Sequence, residues 1–476
     1  MTSASSVEDV SVEVSKRIVP SENERRKVLS LADILVKRVR KAAKKVGVDA
    51  LVRVEGSVAK DTWLQGEPDI DIFLQLPRST PREALGTVCL NIAREATKGS
   101  RQVERFAEHP YLEAFVDSIR VNIVPCYRAK PGEWLSATDR TPYHTDFVKP
   151  RLNDSLKSQI RLVKRFMKGV GVYGAEIKVG GFSGYLCELL TLNYSTFANV
   201  VRAASGWRKP WIIDYMCHYR GREEDLPKLF TEPLIVVDPV DKGRNVASAV
   251  RKERLIEFVS ASRQFLKYPD ESFFFPKPTK PLSDKQLVSK MRDRGTALVF
   301  VNIGQVRAVP DILWGQLYRT KRSLCRMLVQ NDFEITNDAV WSNEKNISIL
   351  LFEAEHRFLP PTKKHLGPPV EKREECERFL KKHTGGSATV TGPRLEDERW
   401  VVEIRRKHTD VAELLKTELK QGGRQAGVAK LISKAVAKKV SVLVNEEIAQ
   451  IYLTDSDFAR FLTDYVQGKP KWLKTA

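Results

Sequence analysis

The sequence predicts an α+β protein of several domains: a mixed-sheet domain with flanking helices, a helical central domain and an α+β C-terminal region. Three observations carry this. The chain has 476 residues, well beyond the roughly 100–150 of a common single domain. Its first 150 residues alternate strand-like and helix-like patterns. Over 151–275 the apolar period is mainly helical, and over 276–476 both periods return.

The elements follow in order. Ser21 and Glu24 have capping-box spacing, and a long amphipathic helix runs on to about Lys45. LVRVEGS (51–57) reads as a strand entering a turn, and a helix or loop over 60–64 leads to the strand DIDIFLQL. Residues 81–98 read as a helix. VDSIRVNIVPCY reads as a second core strand with Ile119, Val121 and Ile123 pointing inward. Arg161, Lys164, Arg165 and Lys168 then fall at helical spacing and predict one basic face. In GGFSGYLCELL a glycine turn precedes a buried helix capped by Ser183. FFFPKPTKP (273–281) breaks the period and marks a domain seam, its three phenylalanines reading as packing between domains. Beyond it come the strands ALVFVNI, ISILLFEAEHRF and WVVEIRRK, a helix around 314–329, and a helix after Gly427 with Lys430, Lys434 and Lys438 at i, i+4.

Chemistry concentrates in GSVAKDTWLQGEPDIDIFLQLP. Residues two apart on a strand share a face, so Asp69 and Asp71 project together while Ile70, Ile72, Leu74 and Leu76 project into a core. Two adjacent carboxylates repel unless a cation lies between them, and hard oxygen ligands suit Mg²⁺. The Gly-Ser turn upstream can present backbone N–H groups and a hydroxyl to phosphate. Together these parts describe a metal-dependent site for a nucleoside triphosphate. The formal charge of +20 is spread along the chain and predicts a polyanionic partner, nucleic acid above all. Six cysteines show no Cys-x-x-Cys spacing and sit mostly in apolar runs, which predicts buried thiols in a reducing compartment and argues against zinc. The N-terminus lacks a basic-then-apolar signal and no apolar run is long enough to span a bilayer, so a cytoplasmic location is expected.

Six motifs in order carry a family resemblance: GSVAKDTWLQGEPDIDIFLQLP, EHPYLEAF…VPCY, DRTPYH, GVYGAE, GFSGYLCELL and VVDPVDKGRNVA. Over about residues 15–260, and more weakly to the C-terminus, the chain resembles archaeal-type (class I) CCA-adding tRNA nucleotidyltransferases. The resemblance implies a polymerase-β-like nucleotidyltransferase domain and template-independent addition of C, C and A to tRNA 3′ ends from CTP and ATP. It implies Mg²⁺ on Asp69 and Asp71, and triphosphate and ribose contacts from Ser57, His144, Lys164 and Tyr173. Lys60 stands where the family has arginine, a point charge in place of a planar fork. Arg244 takes the position that reads the base. Basic surfaces of the central and C-terminal regions, including Lys430, Lys434 and Lys438, would grip the tRNA backbone, and the relatives' homodimeric state is implied too.

One position departs. The family's third carboxylate falls on Asn122, a neutral oxygen that is a weaker ligand and no base. Loss of general-base help costs roughly 10²–10⁴ in rate. Asp117 lies an odd number of residues away, and Ser118 and Arg120, which share the face of Asn122, carry no carboxylate, so no local replacement is expected. Two other readings stay open: a catalytically impaired tRNA-binding relative, and a poly(A)-type polymerase.

Overall fold

The computed structural model describes residues 6–106 and 108–473. They form two compact units: one up to Pro278, joined by a C-terminal segment from Pro470, and one spanning Thr279–Lys469.

The first unit opens with α1 (Val7–Ile18) and α2 (Glu22–Lys45). The sequence reading begins only at the second of these. The signal for α1 is the reciprocal Ser6–Asp9 cap and the row Val7, Val10, Val14, Ile18, all buried. At the start of α2, Ser21 Oγ accepts from the Glu24 N–H at 3.2 Å. Glu24 does not return the contact; its carboxylate accepts from Gly66 N (2.9 Å) and Trp63 Nε1 (3.3 Å), so half of the expected capping box holds a distant loop.

β1 (Leu51–Glu55), α3 (Gly56–Lys60), β2 (Asp69–Leu76), α4 (Arg82–Ala96), β3 (Arg101–Phe106), β4 (Pro110–Val116) and β5 (Ile119–Tyr127) follow. The five strands make one sheet in the order β1-β2-β5-β4-β3, in which β2 and β5 run parallel and the other pairs antiparallel. One face is apolar. Ile70, Ile72 and Leu74 pack with Val121 and Ile123 under Leu35 and Val39 of α2 and Leu85 and Cys89 of α4. β4 and β5 are joined by Asp117 and Ser118, both at positive φ, so Asp117 is a turn residue.

The helical part comprises α5 (Thr141–Val148), α6 (Asp154–Val170), α7 (Gly184–Tyr194), α8 (Phe197–Ser205) and, after the small strand β6 (Trp211–Ile213), α9 (Leu226–Leu229), β7 (Leu234–Asp238), β8 (Asp241–Asn245) and α10 (Lys252–Lys267). The three-stranded sheet β6-β7-β8 is absent from the sequence reading. Five residues of β7 are all buried, and so short an apolar run carries no period to separate strand from helix. Ser183 caps α7 as expected, accepting from Leu186 N at 3.1 Å. Phe273 and Phe274 do not bridge domains; they pack on Phe166 and Phe265 in the core of this same unit.

The second unit contains α11 (Asp284–Asp293), β9 (Ala297–Ile303), α12 (Pro310–Gln330), β10 (Ile335–Ser342), β11 (Ser348–Ala354), β12 (Thr362–Pro369), α13 (Arg373–His383), β13 (Thr389–Glu396), β14 (Arg399–Arg405), α14 (Val411–Leu419), α15 (Lys430–Lys438), β15 (Val440–Val444), α16 (Ala449–Thr454) and α17 (Ser456–Gln467). Its antiparallel sheet β10-β11-β9-β15 is covered on both faces, and β11 is accordingly buried along its whole length. A smaller sheet, β12-β14-β13, carries α13. Among the described residues no helix is long and apolar enough to cross a membrane. Four of the six cysteines are buried as expected, while Cys217 is exposed and Cys325 half-buried.

Candidate active site

The polar face of the first sheet holds Asp69 and Asp71 at the start of β2. The parallel register sets Asp69 beside Arg120 and Asp71 beside Asn122. Both acids are engaged. Arg120 grips Asp69 through two parallel bonds, Nε to Oδ1 at 2.5 Å and Nη2 to Oδ2. Asn122 Nδ2 donates to Asp71 Oδ1 at 2.9 Å. Loss of solvent pushes the Asp71 carboxyl up to about 6, opposed by the Asn122 amide and aided by the Asp69 charge. This is the electrostatic condition that a bound cation relieves, and Arg120 already stands in as one. The donor set, two carboxylates on one strand face, fits a hard divalent ion.

The turn upstream is built against this pair. Gly56 has φ +71°, and a Cβ there would fall 2.3 Å from Asp71 Oδ2, so both backbone conformation and space require glycine. Ser57 follows at the start of α3 and lines a cleft of about 500 Å³ together with Asp69, Lys164, Lys168 and Tyr173. At Gly184 a Cβ would lie 3.1 Å from the Tyr173 hydroxyl and 3.8 Å from Lys164 Nζ, so both groups crowd this glycine.

The predicted basic face of α6 is not a solvated stripe. Arg161, 1% exposed, donates to Trp63 O (2.8 Å) and Asp61 O (2.6 Å). Lys164 donates to Thr62 O (3.1 Å) and Thr62 Oγ1 (3.0 Å). Arg165 and Lys168 pair with Glu67. All four cations therefore hold the loop 61–67 that carries the chain into the acid strand. Helical spacing foretold the common face but not that a loop covers it.

Lys60 and Lys164 share one buried counterion. Glu188 on α7, 1% exposed, accepts from Lys60 Nζ at 2.5 Å, from Thr62 Oγ1 at 2.8 Å and from Lys164 Nζ at 3.4 Å. Burial alone would raise the Glu188 carboxyl, but the two ammonium groups outweigh it and hold it below its ordinary range. Burial lowers the Lys164 ammonium. Sequence reasoning passed over Glu188; the available signal was a lone acid inside the apolar run YLCELL, which requires a buried partner.

His144 and Arg244 meet elsewhere, on Asp238 at the end of β7. His144 Nε2 lies 2.9 Å from Asp238 Oδ2, Arg244 Nη1 donates to the same oxygen at 2.6 Å, and the Tyr185 hydroxyl donates to Oδ1 at 3.2 Å. The His144 ring stacks on Tyr185 with centroids 4.0 Å apart. Burial holds the His144 imidazole below its ordinary range. Burial opposes ionisation of Asp238, but the His144 bond and the Arg244 charge prevail and bring it to about 2. Arg244 keeps about a third of its side chain exposed. The predicted residues thus fall into three linked groups: Asp69, Asp71 and Asn122 on the sheet; Lys60 and Lys164 around Glu188; His144 and Arg244 around Asp238. Lys60 Nζ, 5.8 Å from the Tyr185 ring centroid, joins the last two. Lys430, Lys434 and Lys438 all lie exposed along α15 of the second unit.

Three family models match successive stretches of the chain. A nucleotidyltransferase domain model matches residues 36–144, a tRNA nucleotidyltransferase second-domain model matches 158–275, and a CCA-adding enzyme C-terminal domain model matches 294–445. The chain is 36% identical over 462 residues to the CCA-adding enzyme of Methanosarcina barkeri, covering 96% of this chain and 98% of that one. It is 37% identical over 468 residues to that of Methanosarcina mazei, covering 98% and 100%. It is 35% identical over 457 residues to that of Methanothermobacter thermautotrophicus, covering 95% and 97%. With end-to-end similarity of this degree and an acid pair set against a Gly-Ser turn, the chain belongs to the archaeal CCA-adding enzyme family.

Proposed function

We propose that this protein adds C, C and A to the 3′ ends of tRNA from CTP and ATP, without a template. The observation that carries the reading is the Asp69–Asp71 pair backed by the Gly56–Ser57 turn, in a chain alike from end to end to CCA-adding enzymes.

Asp69 and Asp71 would hold Mg²⁺, which when bound supplies charge stabilisation to the attacking and leaving oxygens of an in-line displacement. Ser57 would receive the triphosphate through its hydroxyl. Lys164 and Tyr173, at the cleft wall, would neutralise and orient phosphate and ribose. Lys60 and His144 act from behind: their contacts to Glu188 and Asp238 set where Lys164 and Arg244 stand. Arg244, partly exposed, would offer N–H donors to acceptor atoms on cytosine or adenine. Lys430, Lys434 and Lys438 would contact RNA backbone, which A-form helices present without sequence. A cytoplasmic homodimer completes the reading.

A second reading is motivated by the sheet face itself. Asn122 gives Asp71 an amide donor and Arg120 occupies both oxygens of Asp69, the features of a tRNA-binding relative that no longer turns over. Incubation of the purified protein with tRNA lacking its CCA end, CTP, ATP and Mg²⁺, followed by product sequencing, separates the readings. Ordered CCA addition is expected. A homopolymer would exclude CCA addition, and no extension, restored by Asn122→Asp, would establish the impaired form.

A further inference from the structure

The β5–β4 register answers the gap at Asn122. Asn122 is paired with Glu113, directly across an antiparallel ladder, so the two side chains stand on one face. Asp71, Asn122 and Glu113 therefore form one row across three strands, at the usual spacing of about 4.8 Å per strand. The neighbouring row holds Asp69 and Arg120. Glu113 is buried, and its Oε1 accepts from Arg105 Nη2 (2.8 Å) and Nε (3.2 Å). Its Oε2 faces the other way, 4.0 Å from Arg120 Nη1. One guanidinium thus stands between Asp69 and Glu113 with Asp71 in the adjacent row. Three carboxylates against two guanidinium groups, Arg105 and Arg120, leave one negative charge uncompensated, and with Arg120 swung away the deficit is two, which one divalent ion removes. The sequence expectation of no local replacement for Asn122 misses this, because Glu113 is nine residues away in sequence and adjacent only across the ladder.

We propose that Glu113 supplies the third carboxylate of the cation site, in the charge role that Asn122 cannot fill, and that Arg120 is a resident cation that swings out when the divalent ion enters. This rests on the CCA-adding reading for the identity of the site. Among the described residues no three His, Cys, Asp or Glu side chains already converge as a metal cluster, so the displacement of Arg120 is part of the proposal. The Arg120–Asp69 pair is 47% and 35% exposed, so solvent reaches both partners and can take the place of either as the ion enters. The competing reading is that Glu113 serves only as counterion to Arg105.

The test measures Mn²⁺ binding by electron paramagnetic resonance in the presence of CTP, on the full chain. Glu113→Gln should weaken Mn²⁺ by about 10-fold or more, and adding Asn122→Asp to that variant should restore it. Parent-level binding by Glu113→Gln, or failure of the added Asn122→Asp to restore affinity, would overturn the proposal. Arg120→Gln provides a second arm should Glu113→Gln not fold: removal of the resident cation should tighten Mn²⁺ by about threefold or more, and unchanged or weaker binding overturns the displacement. Extension of tRNA lacking CCA, run in parallel, separates the two failures. A parent protein that binds Mn²⁺ through Glu113 but never extends tRNA defeats the CCA reading alone. A parent that extends tRNA while Glu113→Gln binds Mn²⁺ normally defeats the Glu113 proposal alone.

Discussion

The acid face of the first sheet and the buried lysine cluster behind it use the same interaction, a cation against a carboxylate, with opposite consequences. On the sheet, Arg120 and Asp69 are 47% and 35% exposed. Behind it, Lys60 and Glu188 are 5% and 1% exposed. The first contact, although two-pronged, is open to exchange, because water can reach either partner. The second is a fixture, because removal of one partner strands a charge in low dielectric. The candidate site thus sets a face whose charges are open to new partners beside a block whose charges are fixed in place.

Glu188→Ala should break the rigid side outright. It leaves two buried ammonium groups without their acid, and a loss of about 3–5 kcal/mol in denaturant unfolding is expected. A loss below about 1 kcal/mol would mean that Lys60 and Lys164 reach solvent by another route. Asp69→Ala with Asp71→Ala should abolish nucleotide addition by about 10³-fold or more while the tRNA dissociation constant in filter binding stays within about threefold. Equal loss in both assays would remove the distinction between a chemical face and an RNA-holding surface.

The Asp238 node gives a pH test of rigidity. Its carboxyl sits at about 2 in the fold and near 3.9 in an unfolded chain. A depressed acid stabilises above the unfolded value, and that contribution is lost as pH falls from about 4 towards 2. Asp238→Asn should therefore cost about 2–3 kcal/mol at pH 7 and progressively less below pH 4, read by urea titration at several pH values. A pH-independent cost would show that packing, not charge, holds His144 and Arg244 together.

Asp71 should behave in the opposite sense. Its folded value of about 6 lies above the unfolded one, so the folded state binds a proton that the unfolded chain has released. Stability is complete below about pH 4 and falls as pH rises to 6. Without divalent ions, Asp71→Asn should melt higher than the parent at pH 7 and equal to it near pH 4. A lower Tm at pH 7 would show that Asp71 is already compensated. The smallest effect is expected from replacing Lys430, Lys434 and Lys438 together by Gln. The salt dependence of tRNA binding, log K against log salt, should become shallower by about 2, with rates at saturating tRNA unchanged. An unaltered slope would remove α15 from the RNA surface.

Much of this was legible beforehand for a definite reason: it depends on local period. Asp69 and Asp71 share a face, and Ile70, Ile72 and Leu74 the other, because a strand repeats every two residues. Ser183 caps α7 because its side chain bonds three residues ahead. The parts that were not legible all join residues far apart in sequence. Glu24 reaches Gly66 and Trp63, the α6 cations close on loop 61–67, Glu188 serves Lys60, and Glu113 meets Asn122 only because β4 and β5 pair in that register.

What the chain order alone determined is the chemistry available: which strand carries acids, which turn carries glycine, which helices carry cations, and which family of nucleotide-adding proteins shares these motifs in this order. Only the tertiary structure decided the partners, placing Arg120 on Asp69, Glu188 between two lysines and Glu113 beside Asn122. The physical reason is that periodicity sets the direction of a side chain within its own element, whereas charge pairing depends on distances of a few ångströms that strand register and helix packing alone establish.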